Sequence, residues 1–314
     1  MNQQRQKIAI ILPAYNEEFT IGPTIESFWR AIPGAEIVIV NNNSADTTGK
    51  TARDTLARLG AHGWVINESR QGKGNAVRRA FSDVDADIYV MADADLTYPA
   101  EMVGMLIQPI IDGEADMVVG DRLSMGHYTR ENKRPFHGFG NHLVKTLINR
   151  LFGSGLKDIM SGYRAFNRKF VKNYPILVEG FQLETDVTLH ALDKRFRILE
   201  IPVPYKDRPA GSFSKLNTFR DGARVIFTIA QILRYYKPMA FFGTTAFIFA
   251  VAGIIAAIPV FNDWIVHRYI YHIPLAVLAA ALEIVAVMSL SLGLMLDSVT
   301  HQHRMNAERR LLGD

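Results

Sequence analysis

The chain has no cysteine among its 314 residues. That excludes disulfide staples and thiolate metal sites, and it suits a reducing compartment. Net charge is scarce as well: 35 Lys and Arg against 31 Asp and Glu leave +4. No basic helix or nucleic-acid motif accompanies that surplus, so no nucleic-acid partner is expected; the charge suits anionic lipid and phosphorylated ligands. Internal repeats are missing, and the polar start Met1 to Lys7 reads as an N-terminus without a signal peptide.

Charge is absent altogether from Met239 to Val260, and Ile273 to Leu296 holds only Glu283. Each run approaches the roughly 20 residues that cross a bilayer as a helix. The join, Phe261 to His272, carries Trp264, Tyr269 and Tyr271, residue types that favour a membrane interface. Arg234 and Lys237 precede the first run, Arg304, Arg309 and Arg310 follow the second, and the join holds only Arg268. This bias predicts that the main domain and both termini are cytoplasmic. An acid such as Glu283 is costly in lipid, so it is expected to face a polar cavity or a partner helix, with self-association through the spans. Just upstream, "NTFRDGARVIFTIAQILRYY" (217–236) has apolar residues at helical spacing with arginines among them, and reads as an amphipathic helix on the membrane surface. The expected organisation is a catalytic domain over 1–216, the surface helix over 217–237, two spans over 238–298 and a cytoplasmic tail over 299–314.

The first half alternates short apolar runs with helical stretches. Ile8–Leu12, Glu36–Val40, Gly63–Asn67, Asp87–Met91 and Asp116–Gly120 read as buried strands; Phe19–Ala31, Ala45–Leu59, Gly74–Ser82 and Ala100–Ile111 read as helices. That order predicts a doubly wound α/β sheet with ligands at the carboxyl ends of its strands. The polar clusters Pro13–Glu17, Asn41–Asp46 and Asp93–Asp95 all fall at such ends.

Asp93 and Asp95, in "MADADLTYPAE" (91–101), admit two readings. Carboxylates at alternating positions meet at one hard divalent ion only if the chain bends there. Otherwise they form an acidic turn that caps the next helix.

Four strand-end segments stand in order: "ILPAYNEE" (11–18), "VIVNNNSADTT" (38–48), "RQGKGNAVRRAF" (70–81) and "MADADLTYPAE". "DIMSGYRAFNR" (158–168), "FQLETDVTLHAL" (181–192) and "RPAGSFSKLNTFRDGARV" (208–225) follow. Together they resemble the family 2 glycosyltransferases of GT-A fold, a Rossmann-like mixed sheet. Within these they are similar to the polyprenyl-phosphate hexose synthases, which include dolichol-phosphate mannose synthase and bacterial polyprenyl-phosphate glucosyltransferases.

The resemblance implies that Pro13, Tyr15, Asn16 and Glu17 line a nucleotide pocket. Asn41 and Asn42 stand where that family usually carries two aspartates that read the base, and an Asn oxygen lacks a carboxylate's second acceptor. This favours a UDP-sugar over GDP-mannose. Lys73, between Gly72 and Gly74 before a helix, would meet phosphate. Asp93 and Asp95 would hold Mg2+ or Mn2+ on the donor diphosphate, with Thr97 or water completing the shell in place of a Gln common in relatives. Arg122 and Arg164, with Ser161, would hold the acceptor phosphate, and Asp158 would orient the acceptor or serve as a formal base. Glu184 and Asp186 could contact sugar hydroxyls or arginines. Arg208, Ser214 and Lys215 would close over the diphosphate.

The expected activity is inverting, metal-dependent transfer of one hexose from a nucleotide sugar to a polyprenyl phosphate, at the inner membrane of a prokaryote. Two alternatives stay open: a glycolipid synthase acting on a diacylglycerol hydroxyl, which needs a true base, and a non-catalytic nucleotide-sugar-binding membrane scaffold. Gln231-Ile-Leu-Arg234-Tyr235 resembles the Gln-x-x-Arg-Trp motif of processive polysaccharide synthases, but Tyr replaces Trp and two spans offer little material for a polymer channel.

Overall fold

The computed structural model describes residues 6–124, 135–178, 183–205, 227 and 229–313. The chain divides into two compact units, Met1–Leu216 and Asn217–Asp314.

The first unit contains strands β1 (Ile8–Ala14), β2 (Glu36–Asn41), β3 (Gly63–Asn67), β4 (Ile88–Met91), β5 (Met117–Asp121), β6 (Arg164–Asn167) and β7 (Ile198–Pro202). Its helices are α1 (Ile21–Ala31), α2 (Thr48–Leu59), α3 (Lys73–Asp83), α4 (Val103–Ile111), α5 (Pro135–Phe152), α6 (Arg168–Asn173) and α7 (Leu183–Asp193). The strands form one sheet in the order β3-β2-β1-β4-β6-β5-β7. β1, β2 and β4 are apolar runs buried almost throughout, as expected of strands covered on both faces. α1 turns Ile21, Ile25 and Phe28 into the core, and Phe28 meets Tyr163 edge-on at 6.2 Å.

The mixed sheet is the expected architecture, with two differences in detail. β6 and β7 were not read as strands, and β6 runs antiparallel to both neighbours, β4 and β5. β6 is four residues long and opens with an arginine, so it lacks the apolar run that marks a central strand. β3 is also less buried than its composition suggests: it is an edge strand in which only Ile66 is buried and Trp64 lies 37% exposed. It starts at a glycine for a steric reason, since a Cβ on Gly63 would fall 2.1 Å from the Ile37 carbonyl oxygen.

In the second unit, residues 229–236 are helical. Two long helices follow, α8 (Pro238–His267) and α9 (Ile273–Gly313). Both are long and apolar enough to cross a membrane. The first helix extends beyond the apolar run into the expected join, leaving a turn in which Asp263 accepts from the backbone N–H groups of Tyr271 and His272. Small residues line the seam between the helices, with Ala246 and Gly253 buried on α8 and Ala279 and Ala286 on α9, the pattern that lets helices approach closely in lipid. Large apolar side chains such as Phe247, Ile254, Ile258, Val287 and Met295 are exposed. Glu283 lies against Gly253, where a Cβ would come within 2.6 Å of its Oε1. It lines an otherwise apolar groove of about 360 Å³ together with Ala257, Phe261 and Ala280. Residues 217–226 of the expected surface helix lie outside the described residues.

Candidate active site

β1 to β4 run parallel, so the loops that follow them leave the sheet at one edge. β5 points the same way, because it and β4 are both antiparallel to β6. β6 therefore begins at that edge, with Arg164 in register with Met91, which sets the turn Ser161–Tyr163 beside the loop of Asp93. Three loops at this edge hold non-glycine residues in the left-handed region: Asn16 (φ 54°), Asn43 (φ 55°) and Leu96 (φ 63°). For Leu96 the cost is about 1–2 kcal/mol, which the surrounding fold must offset.

Asp93 is 30% exposed on its side chain, and its Oδ1 is ion-paired with the Lys73 ammonium. The same ammonium lies 2.5 Å from Glu184 Oε1 at the start of α7. Burial alone would depress the Lys73 pKa; the two carboxylates more than reverse this and hold it above its ordinary value. Gly162 closes one side of the cluster, for a Cβ there would fall 2.9 Å from Asp93 Oδ2 and 3.0 Å from Lys73 Nζ. Asp95 is only 2% exposed. Its Oδ1 accepts from the Thr97 backbone N–H at 3.2 Å and from the Thr97 hydroxyl at 2.6 Å, so Thr97 orients Asp95.

Among the described residues no group of three or more His, Asp or Glu side chains converges on a common point. This donor set does not fit an all-protein cage. It does fit a hard divalent ion held by one or two carboxylates that takes its remaining ligands from diphosphate oxygens and water.

The loops after β1 and β2 are laced together. The Asn16 backbone N–H donates to Ser44 Oγ at 3.0 Å, Asn16 Oδ1 accepts from the Ala45 N–H at 2.8 Å, and the Glu17 N–H donates to Thr48 Oγ1 at 2.8 Å. Pro13, next to last in β1, is half-buried and Tyr15 is 36% exposed. The asparagine pair divides. Asn41 stays half-buried, donating to Asn67 Oδ1 at 3.1 Å. Asn42 is 4% exposed: its Oδ1 accepts from the Gly72 N–H at 2.7 Å and its amide donates to the Arg70 carbonyl at 2.7 Å. Asn42 thus braces the loop leading to Lys73, and Asn41 keeps the more accessible side chain of the pair.

On the other side of the edge Arg122 grips Asp158. Its Nε donates to Oδ2 at 2.7 Å and its Nη2 to Oδ1 at 3.0 Å. The Arg122 backbone N–H also reaches Oδ2, at 3.1 Å, and the guanidinium lies 5.5 Å from the Tyr205 ring centroid. Asp158 is 3% exposed, and in this structure its carboxylate clamps Arg122. Arg164 is fully buried, with Nε donating to the Ser161 carbonyl and Nη2 to the carbonyls of Ile159 and Glu184. Ser161 is buried beside it, and its Oγ accepts from the Tyr163 N–H at 3.3 Å. These two residues build the turn that carries Gly162. Arg208, Ser214 and Lys215 lie outside the described residues.

Two contributors had no sequence signal of their own. The Tyr98 hydroxyl accepts from the Gly162 N–H at 2.9 Å, and Glu200 accepts from the Lys157 and Asp158 N–H groups. Asp186 accepts from the Tyr174 hydroxyl at 2.7 Å.

Comparison with known proteins agrees with this geometry. The sequence profile described as "Glycosyl transferase family 2" matches residues 9–174. The glycosyltransferase AglJ of Haloferax volcanii is 31% identical over 306 residues, 96% of each chain. A dolichyl-phosphate hexose transferase of the same organism is 31% identical over 72% of this chain and 93% of its own. Among solved structures, glucosyl-3-phosphoglycerate synthase of Mycobacterium tuberculosis, crystallised with Mn2+ and UDP-glucose, superposes with a TM-score of 0.54 at 25% identity, covering 73% of this chain and 78% of that one.

Proposed function

The chain belongs to glycosyl transferase family 2, and we propose on that premise that it transfers a single hexose from a nucleotide sugar to a polyprenyl phosphate at a membrane surface. One observation carries the reading. A donor-side cluster (Lys73, Asp93, Glu184) and a cation clamped for an acceptor (Arg122 on Asp158) share one sheet edge, in a chain that ends in two bilayer-length apolar helices. The relative named as a dolichyl-phosphate hexose transferase supports the acceptor class.

A divalent ion, Mg2+ or Mn2+, held by Asp93 and Asp95 would neutralise charge on the departing diphosphate. The Lys73 ammonium and the N-terminus of α3 add fixed positive charge beside the same diphosphate. A lipid phosphate is ionised at neutral pH, so attack on the anomeric carbon requires positioning and no proton removal. A single displacement on the face opposite the diphosphate inverts the anomeric centre. The carboxylates of the described site are engaged: Asp158 by Arg122, Glu184 by Lys73 and Asp186 by Tyr174. That arrangement suits an anionic acceptor and disfavours the hydroxyl of a diacylglycerol, which needs a base.

A UDP-hexose is the favoured donor, since Asn41 offers one side-chain acceptor for the single imide N–H of uracil, and the Mn2+–UDP-glucose complex of the mycobacterial neighbour supports the same choice. In this reading α8 and α9 span the plasma membrane of a prokaryote, with the catalytic unit and both termini cytoplasmic. The chains self-associate through the outward faces of those helices.

The test is purified full-length protein with Mg2+ or Mn2+, a polyprenyl phosphate and a panel of UDP- and GDP-hexoses. Formation of a polyprenyl-phosphate hexose is expected. Metal-dependent nucleotide binding without turnover on any donor would leave only the scaffold, and transfer confined to diacylglycerol would reject the acceptor.

A further inference from the structure

We propose that the Lys73 ammonium is a resident counter-cation of the donor site, which holds Asp93 against a bare divalent ion and releases it when the ion arrives with a diphosphate. The proposal rests on the reading of Asp93 as a metal carboxylate.

Three observations carry it. First, the ammonium is paired with Asp93 Oδ1, on the more exposed of the two aspartates. A divalent ion approaching that oxygen meets a fixed positive charge, and the repulsion is strong in a site where Lys73 is only 11% exposed. Second, the ammonium has another partner already in place, Glu184 Oε1 at 2.5 Å. It can leave Asp93 and remain ion-paired, so release does not strand a buried charge. Third, its freedom is bounded. Gly162 lies against Lys73 Nζ and Asp93 Oδ2, and the backbone before the lysine is fixed by Gly72, whose N–H donates to the buried Asn42 side chain.

A diphosphate changes the balance. Its anionic oxygens give the ammonium new partners beside the α3 N-terminus and give the ion new ligands. Ion and diphosphate therefore bind with positive coupling, and linkage makes the coupling equal in both directions. Glu184 acts as a positioning residue that retains the lysine during the exchange.

The experiment is Mn2+ titration of the full-length protein in detergent, with free Mn2+ read by electron paramagnetic resonance, alone and with saturating UDP. In the unsubstituted protein UDP should tighten Mn2+ about tenfold or more. Lys73→Met should bind bare Mn2+ about tenfold more tightly and lose most of the UDP enhancement. Lys73→Met leaves two carboxylates facing each other and can create a new ligand in Glu184. The double variant Lys73→Met/Glu184→Gln removes both effects, and the tighter bare Mn2+ binding should persist in it. It also carries the test alone if the single variant does not fold. Bare Mn2+ affinity unchanged in Lys73→Met, or a gain lost in the double variant, overturns the counter-cation role. Asp93→Asn separates the two levels: it should abolish Mn2+ binding, and binding that survives it rejects the metal reading and this proposal together.

Discussion

Gly162→Ala tests the geometry of the donor cluster without touching any charged group. The new methyl carbon would sit 2.9 Å from Asp93 Oδ2, 3.0 Å from Lys73 Nζ and 3.3 Å from Asp93 Cγ. Reaching ordinary contact requires the carboxylate to retreat by roughly half an ångström. Both displaced atoms end rotatable side chains, and the Gly162 backbone is not in the left-handed region. The cost to folding is therefore about 1 kcal/mol, the price of an off-rotamer side chain, or roughly 2–4 °C in Tm for a domain of this size. Activity should suffer more. A misplacement of about 1 Å at a reacting centre can cost about a hundredfold in rate, so half that shift in a diphosphate-facing carboxylate should lower kcat/KM for the donor about tenfold. Initial rates at subsaturating donor, beside a thermal melt of the same preparation, give both numbers. Unchanged kcat/KM with an unchanged melt would show that the position of Asp93 does not matter, and would refute the reasoning.

Other substitutions separate roles that the sequence left mixed. Asp95→Asn keeps an oxygen to accept from Thr97 and so should fold normally, while transfer falls about a hundredfold or more; near-normal turnover would reject Asp95 as a necessary ligand. Arg164→Met removes three buried hydrogen bonds, to the carbonyls of Ile159, Ser161 and Glu184, leaving Thr188 Oγ1 on the first and last. It should destabilise the unit by about 3–5 kcal/mol in a denaturant titration, whereas a rise in acceptor KM at unchanged stability would restore the phosphate-binding role. Asp158→Asn should raise the acceptor KM about tenfold through a loosened Arg122 and leave the pH profile of kcat alone; loss of that profile's acidic limb would identify a base after all. His190 is packed among Phe170, Tyr174 and Phe196, and burial pushes its imidazole down to about 4. Its folded value lies below the unfolded one, so the unfolded chain binds more protons between them. Stability is then fully present above about pH 6.5 and declines toward about pH 4, by an amount on the order of 3 kcal/mol. His190→Gln should flatten that slope in unfolding curves taken at several pH values, and an unaltered slope would contradict the burial argument.

Where an apolar run of strand length ended in a polar cluster, the sequence was readable. β1, β2 and β4 and their loops announced themselves this way, because a strand covered on both faces must be apolar and its carboxyl end need not be. The two apolar helices were readable for a simpler reason, the lack of charge over a bilayer's length. β6 was hidden because its pairing partners lie far away in sequence, β4 at one side and β5 at the other. The site showed the same limit. The family resemblance marked Asn42, Ser161, Arg164 and Asp158 as residues near ligands, but their burial was not readable from it. Asn42, Asp158 and Arg164 are each less than 5% exposed and bonded to neighbouring protein groups, which the sequence alone does not show. Glu184 was misplaced in the opposite sense, as one of several acids for sugar or arginine, because nothing in "LETD" says that α7 starts beside Lys73.

Tyr98 touches both sides of the edge. It follows Asp95 by three residues, and its hydroxyl accepts from the N–H of Gly162, the glycine packed on Asp93 and Lys73. Arg122 Nη1 approaches the same hydroxyl at 3.4 Å, and the Tyr98 ring packs against Tyr163 at 5.2 Å and Tyr205 at 5.8 Å. Burial pushes the phenol well above its ordinary pKa, so it stays neutral and can accept and donate at once. The loop that carries the metal-type carboxylates is thus bonded to the turn that confines Lys73 and lies beside the arginine assigned to the acceptor. Gly162, packed on Lys73 and Asp93, is hydrogen-bonded to the residue that Arg122 approaches. Tyr98 is thus in direct contact with both the Gly162 turn and Arg122, in a part of the molecule where burial fixes its ring between Tyr163 and Tyr205.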